Sequence, residues 1–110
     1  MTSGKPPVLV HVVLISFRTE ATQEQRQRIF DDYQVLGERC GGKDAGVLFW
    51  QVDHNLDQRK HWHLVEFAVF RDDDAFQRFR EHPAHNELTE VLRKIADWAV
   101  GDILSTLSVS

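Results

Sequence analysis

The central element of this chain is encoded by one stretch, His61-Trp62-His63-Leu64-Val65-Glu66-Phe67-Ala68-Val69-Phe70. Successive side chains of a β-strand point to opposite sides of a sheet, so the stretch has two faces. One face carries His61, His63, Val65, Phe67 and Val69, and the other carries the residues between them. Because both faces are largely apolar, we predict a central strand that is covered on both sides. A histidine in such a strand needs a hydrogen-bond partner or a cavity.

Length and charge restrict the class of protein. The chain has 110 residues, of which 42% are hydrophobic, enough for one core but not for two. We therefore expect one domain over 8–110, preceded by a polar, disordered tail over 1–7. The formal charge of −4, with lysines and arginines spread along the chain, argues against a nucleic-acid partner.

The remaining composition points to a cytoplasmic location. The apolar run over 8–15 is too short to cross a bilayer, so we expect no membrane association. Cys40 is the single cysteine, which excludes an internal disulfide and fits a reducing compartment.

Patterns elsewhere in the chain predict three more strands and three helices. Apolar, β-branched runs predict strands over 8–17 and 47–52, and an alternating run predicts a last strand over 103–109. Thr22 and Gln25 form a capping box that begins a first helix, which the glycines from Gly37 onwards end. A second helix begins at the acidic residues 72–74 and stops at Pro83. A third is expected over 86–98.

This order, β-α-β-β-α-α-β, is that of a ferredoxin-like α+β fold with one additional helix. Right-handed crossovers place the first and third strands next to each other in the middle of the sheet. Helices can cover only one face of this sheet, although both central strands are apolar on two sides. The simplest cover for the second face is another copy of the chain, which predicts a homodimer built as a dimeric α/β barrel.

Histidines dominate the candidate functional residues. His11 and His63 lie on the two strands predicted to be adjacent, and Pro83 forces a corner that directs His85 over the sheet. Tyr33 lies on the apolar face of the first helix. Imidazole titrates near neutral pH, so such a set can move protons without a cofactor. The alternative is that each histidine is a hydrogen-bonded core residue with no chemical role.

A metal site is the competing interpretation of the same histidines. His61 and His63 are two residues apart on a strand, and His82 and His85 form a second short pair. No cysteine lies near them, and Glu66 belongs to the opposite face of the strand from His63. We therefore predict that no metal is bound.

Several of these motifs together resemble the stress-responsive dimeric α/β-barrel family. They are the strand over 10–17, the Thr22 capping box, the strand over 63–67 and above all His82-Pro83-Ala84-His85. The resemblance covers the chain from about residue 8 to 103. It implies two sheets that face each other across a dimer and, in each subunit, a cavity between sheet and helices.

The resemblance also implies roles for individual residues. In the polyketide cyclases of the olivetolic acid cyclase type, the second histidine of the His-Pro-x-His motif is the base, which corresponds to His85. His11, His63 and Tyr33 match positions that line the cavity there, and Phe30, Phe79 and His82 complete the expected pocket. Phe79 replaces the tyrosine whose hydroxyl pairs with the base in that branch.

These observations lead to one main hypothesis and two alternatives. The main one is a homodimer that binds a small hydrophobic, aromatic or polyketide-like ligand and carries out cofactor-free acid–base chemistry, as a cyclase or a lyase, with His85 as base. The first alternative is a non-catalytic stress-response protein that binds a ligand in the same pocket. The second, by analogy of fold alone, is a cofactor-free oxygenase.

Overall fold

A computed structural model describes residues 6–106 of the chain and contains one four-stranded antiparallel sheet. The strand order is β2-β3-β1-β4. The strands are β1 (Val8–Phe17), β2 (Val47–His54), β3 (Leu64–Phe70) and β4 (Ala96–Ser105). The predicted ferredoxin-like α+β fold, with the first and third strands adjacent, is confirmed.

Within the described residues, four α-helices lie along the chain between the strands: α1 (Gln23–Gln34), α2 (Leu36–Arg39), α3 (Asp73–Glu81) and α4 (Pro83–Ile95). A 3-10 helix, Gly42–Ala45, precedes β2. The capping box at the start of α1 is present, with Thr22 and Gln25 each bonded to the other's backbone. Gly37 does not end the first helix but lies within α2, where a Cβ atom would be only 2.7 Å from Trp50. No helix within residues 6–106 is long and apolar enough to cross a membrane.

Two predicted boundaries at the C-terminal end are wrong. The last helix covers Pro83–Ile95 and not 86–98, because Pro83 occupies its first turn, where a missing N–H costs nothing. The last strand begins at Ala96 and not at residue 103, because its backbone pairs with β1 along its whole length. Residues 107–109 of the predicted strand, and 1–5 of the predicted tail, lie outside the described residues.

The start of the central strand also differs from the prediction. β3 begins at Leu64, and His61, Trp62 and His63 precede it. In the pairing with β1, Ala68 lies opposite His11 and Glu66 lies opposite Val13. This register determines which side chains reach the cavity described below.

The two faces of the sheet have different surroundings. The face toward the helices holds the core, in which Ile15, Leu64 and Phe70 are almost completely buried. The other face leaves Phe49, Phe67 and Ile103 exposed, at 41%, 36% and 63%. The chain by itself therefore leaves an apolar sheet face partly uncovered.

Candidate active site

The main candidate site is a cavity of about 400 Å³ between the helix-facing side of the sheet and the helices. Its polar wall comes from six elements, because β1, β3, β4, α1, α3 and α4 each contribute a titratable side chain. These are His11, Glu66, Asp102, Tyr33, Arg80 and His85. The apolar wall includes Phe76, Leu92 and Trp98.

His11 lies between two carboxyl groups. Its Nδ1 is 2.5 Å from Oδ1 of Asp102, the residue directly opposite it on β4. Its Nε2 is 3.5 Å from Oε2 of Glu66 on β3. An ionised aspartate can only accept, so the short contact assigns the proton to Nδ1 and leaves Nε2 facing Glu66.

Glu66 is a carboxyl group in the interior of the domain. Only 2% of the residue is exposed, and its Oε1 accepts a hydrogen bond of 2.6 Å from the hydroxyl of Tyr33. Burial raises the pKa of Glu66 to about 8; the Tyr33 hydrogen bond opposes this, and the negative charge of Asp102 adds to it. Burial, followed by the charge of Glu66, raises the pKa of Tyr33 well above its usual value.

His85 lies in the first turn of α4, where the corner at Pro83 places it against the cavity. Its ring meets the ring of Phe79 edge-on, with centroids 4.8 Å apart. Nδ1 of His85 is buried and has no hydrogen-bond partner within residues 6–106. Burial lowers the pKa of His85, partly offset by its contact with Asn86, so the imidazole is neutral at pH 7.

Two of the expected pocket residues have structural positions beside the cavity. Nδ1 of His82 accepts from the backbone N–H of Ala84 at 3.0 Å, so this side chain caps α4. Phe79 is 3% exposed and packs among Trp50, Phe70 and His85. Neither belongs to the residues that line the cavity.

The expectation that His63 and Phe30 share this cavity with His11 is wrong. They line a separate cavity of about 170 Å³ at the end of the sheet, where Phe30 stacks on His54. Nδ1 of His63 accepts from the backbone N–H of Phe17 at 3.0 Å. His63 precedes β3 and lies beside Phe17 at the end of β1, whereas His11 lies opposite Ala68, five residues further along the chain, so the two histidines are separated along the sheet.

Sequence reasoning missed Glu66 and Asp102. Glu66 was assigned to the face away from the histidines, although a charged residue within an apolar central strand was itself a signal. Asp102 carried no such signal, because only the pairing of β4 with β1 brings it to His11. Within residues 6–106, no group of three or more histidine, cysteine or acidic side chains is placed to hold a metal ion.

Fold and site together define a ferredoxin-like α+β domain with a polar-walled cavity between sheet and helices. Residues 9–105 match the model of the stress responsive A/B barrel domain, so the chain belongs to this family, as the sequence motifs indicated. An uncharacterized protein of Streptomyces coelicolor is 32% identical over 65 residues, which are 56% of this chain and 65% of that protein. The chain thus spans a little under two thirds of the curated relative it matches.

Solved structures with this fold include proteins with different descriptions. Hydroxynitrile lyase from Passiflora edulis aligns with a TM-score of 0.78 at 16% identity, covering 96% of this chain and all of the lyase. A dimeric ferredoxin-like protein of unknown function from Thermobifida fusca gives 0.77 at 13%, covering 90% and 92%. SnoaB, a cofactor-independent oxygenase from Streptomyces nogalater, gives 0.69 at 17%, covering 93% and 96%. At these identities the likeness shows the fold alone.

Proposed function

We propose that the cavity binds a small hydrophobic or aromatic carbonyl compound and that the protein moves a proton next to the carbonyl group without a cofactor. The observation that carries this proposal is the state of His85, a neutral imidazole at the cavity wall whose Nδ1 is buried without a partner. Buried polar atoms are normally hydrogen-bonded, so an unpaired one at a cavity favours a functional role.

In this proposal His85 is the base that takes a proton from the carbon beside the carbonyl. His11, which Asp102 fixes in position, faces the same cavity and interacts with the carbonyl oxygen, where negative charge develops. Phe76, Leu92 and Trp98 supply the apolar surface for the remainder of the ligand. His63 has no part in the reaction, since it lies in the other cavity.

The similar structures support this class of reaction without assigning it. One carries the name of a lyase and another that of a cofactor-independent oxygenase. Both descriptions fit the main hypothesis and its oxygenase alternative. We favour proton transfer because two titratable groups of the cavity, His85 and Glu66, have pKa values displaced in opposite directions.

The proposed function is tested by following exchange of the protons beside a carbonyl in deuterated water. An aryl methyl ketone and a linear poly-β-keto thioester serve as probes, and NMR records the loss of the proton signal. We expect the wild-type protein to accelerate exchange above the buffer rate. Binding of the probes, seen by chemical-shift changes of the protein, without any acceleration would instead establish the non-catalytic alternative.

We further propose that the exposed sheet face joins two copies of the chain. Phe67 and Phe49 meet edge to face on this surface, with ring centroids 5.9 Å apart, and Ile103 extends it. An apolar surface on a β-sheet is a common site of self-association. The fold relative from Thermobifida fusca, which is described as dimeric, is consistent with this arrangement.

Phe67→Asp is therefore expected to convert the dimer into a monomer at micromolar concentration. An unpaired carboxylate buried at the interface raises the dissociation constant by about a hundredfold or more. Light scattering coupled to size-exclusion chromatography measures the mass. Leu56→Asp, at a loop position that is 93% exposed, is the matched control and should remain dimeric. A monomeric wild-type protein would rule out this interface.

Phe79 gives a prediction about polyketide substrates. A phenyl ring beside His85 cannot donate to a developing oxyanion, and loss of one such donor costs about a hundred- to a thousandfold in rate. We expect little cyclisation of a linear poly-β-keto thioester by the wild-type protein and a faster reaction in Phe79→Tyr. Phe76→Tyr, which adds a hydroxyl to a ring that lines the cavity but is not in ring contact with His85, is the control. Efficient cyclisation by the wild-type protein would contradict this interpretation of Phe79.

A further inference from the structure

We infer that Glu66 is a positioning residue of the site: its Oε2 carries a proton that it shares with Nε2 of His11, and this pair supplies the acid opposite the base His85. The inference rests on the proposed function and extends it, because it assigns the acid and identifies a carbonyl oxygen as the group that the acid meets. No sequence motif indicated Glu66 in this role.

The hydrogen bonds around Glu66 locate the proton. A buried carboxylate is stable only when several donors reach its oxygens. Among residues 6–106, Glu66 has one hydrogen-bond donor, the hydroxyl of Tyr33, which is 2.6 Å from Oε1. Oε2 is buried and has no hydrogen-bond partner in this part of the chain. A proton on Oε2 removes the unpaired negative charge and leaves Oε1 as the carbonyl oxygen that accepts from Tyr33.

His11 is the acceptor that faces Oε2 of Glu66. Asp102 has a side chain that is 37% exposed, and its Oδ1 accepts the hydrogen bond from Nδ1 of His11. Nε2 then has a free lone pair, and it faces Oε2 of Glu66 at 3.5 Å. A movement of about 0.7 Å would bring the two atoms to hydrogen-bond distance. In this contact Nε2 of His11 is the acceptor for the proton on Oε2 of Glu66.

Every other element that lines the cavity contributes one charged or titratable group near Glu66. These groups are His11 of β1, Tyr33 of α1, Arg80 of α3, His85 of α4 and Asp102 of β4. Two of them have opposite effects on the pKa of Glu66, since the Tyr33 hydrogen bond lowers it and the charge of Asp102 raises it. These opposite effects provide a direct test.

The proposed step balances as an enolisation. The C–H bond beside the carbonyl breaks, His85 takes the proton, and the electron pair forms the carbon–carbon double bond of the enol. The carbonyl oxygen takes a proton from Nε2 of His11, and Oε2 of Glu66 supplies that proton to His11. When the steps run in reverse, His85 returns a proton to the carbon and the enol oxygen returns its proton to His11. In deuterated water His85 delivers deuterium, which remains on the carbon.

The protonation state is measured first, without any substrate. Protein labelled with ¹³C at the glutamate side-chain carboxyl is titrated by NMR, and the resonance that is missing in Glu66→Gln belongs to Glu66. We expect this resonance to titrate near pH 8. Its midpoint should rise in Tyr33→Phe and fall in Asp102→Asn. A midpoint near 4.5, the ordinary value for glutamate, overturns the inference whatever the turnover.

Turnover is measured second, with the proton-exchange assay. Glu66→Gln keeps the shape and can still accept from Tyr33, but it cannot give a proton to His11. We expect an exchange rate about a hundredfold below wild type with an unchanged melting temperature. A purely structural Glu66 predicts wild-type exchange in this variant, and that result overturns the inference.

The two proposals fail in different ways. If His85→Ala keeps full activity, the base assignment fails, while the titration still decides where the Glu66 proton lies. If Glu66→Gln does not fold, the Glu66 resonance is assigned as the one whose midpoint changes in both Tyr33→Phe and Asp102→Asn, since both residues act on this carboxyl group. We expect displacement in opposite directions, and displacement in the same direction in both variants contradicts the inference.

Discussion

Replacement of His85 by alanine is expected to lower the proton-exchange rate by about a hundred- to ten-thousandfold, the usual contribution of a positioned acid or base. The reason is that Nδ1 of His85 has no hydrogen-bond partner among the described residues, whereas His11 contacts a carboxyl group on each side. Initial rates with the aryl methyl ketone, at a concentration that saturates the wild-type protein, measure the effect. Affinity for the ketone should change much less than the rate.

The pH dependence provides a second readout for His85. A base works in its unprotonated form, and burial lowers the pKa of His85 below its ordinary value of 6.5. The exchange rate should therefore rise with pH below 6.5 and be level near neutral pH. His85→Ala should lose this rise together with the activity.

His61→Ala is the matched control for His85→Ala. His61 is an exposed histidine in the loop before β3 and does not line the main cavity. Its removal should leave the exchange rate within twofold of wild type. A His85→Ala rate within threefold of wild type would show that another group is the base.

The second large effect is on stability, where Phe70→Ala is expected to cost about 3–5 kcal/mol of the free energy of unfolding. Phe70 is fully buried, and its ring packs against Phe76 and Phe79 at centroid distances of 5.1 and 4.9 Å. Truncation leaves a cavity that rigid neighbours cannot fill. For a domain of this size, the melting temperature should fall by roughly 15 °C.

Urea denaturation followed by tryptophan fluorescence measures the change. Leu56→Ala removes an aliphatic side chain that is 93% exposed, and it should alter stability by less than about 0.5 kcal/mol. A loss below about 1 kcal/mol in Phe70→Ala would mean that the core between sheet and helices can repack around the missing ring.

Local patterns in the sequence were sufficient to predict most of the strands and helices. The apolar, β-branched run of β1 needs no distant partner to be recognised, and the same is true of the capping box at Thr22. Pro83 was correctly predicted to end α3, since it forces the residue before it out of the helical conformation. Its second role, in the first turn of α4, was missed because a proline can both stop one helix and begin the next.

The sequence also determined part of the site. His11, His63, Tyr33 and His85 were predicted to face one cavity; the structure places His11, Tyr33 and His85 there and His63 in another. Each prediction rested on a local feature: the alternation of β1, the apolar face of α1 and the corner at Pro83. Their chemical roles remain predictions until the exchange experiments are done.

The tertiary structure alone decided which charged groups meet these residues. Alternation fixes the two faces of a strand but not which of them lies toward the helices, because that depends on the pairing with the neighbouring strand. The register that sets Ala68 opposite His11 brings Glu66 into the cavity, whereas His63 lies before β3, beside Phe17 at the other end of β1. Asp102 contacts His11 across 91 positions of sequence, since β4 returns beside β1 only in the folded chain. The buried environment that raises the pKa of Glu66 is likewise a product of packing, which no property of a single strand encodes.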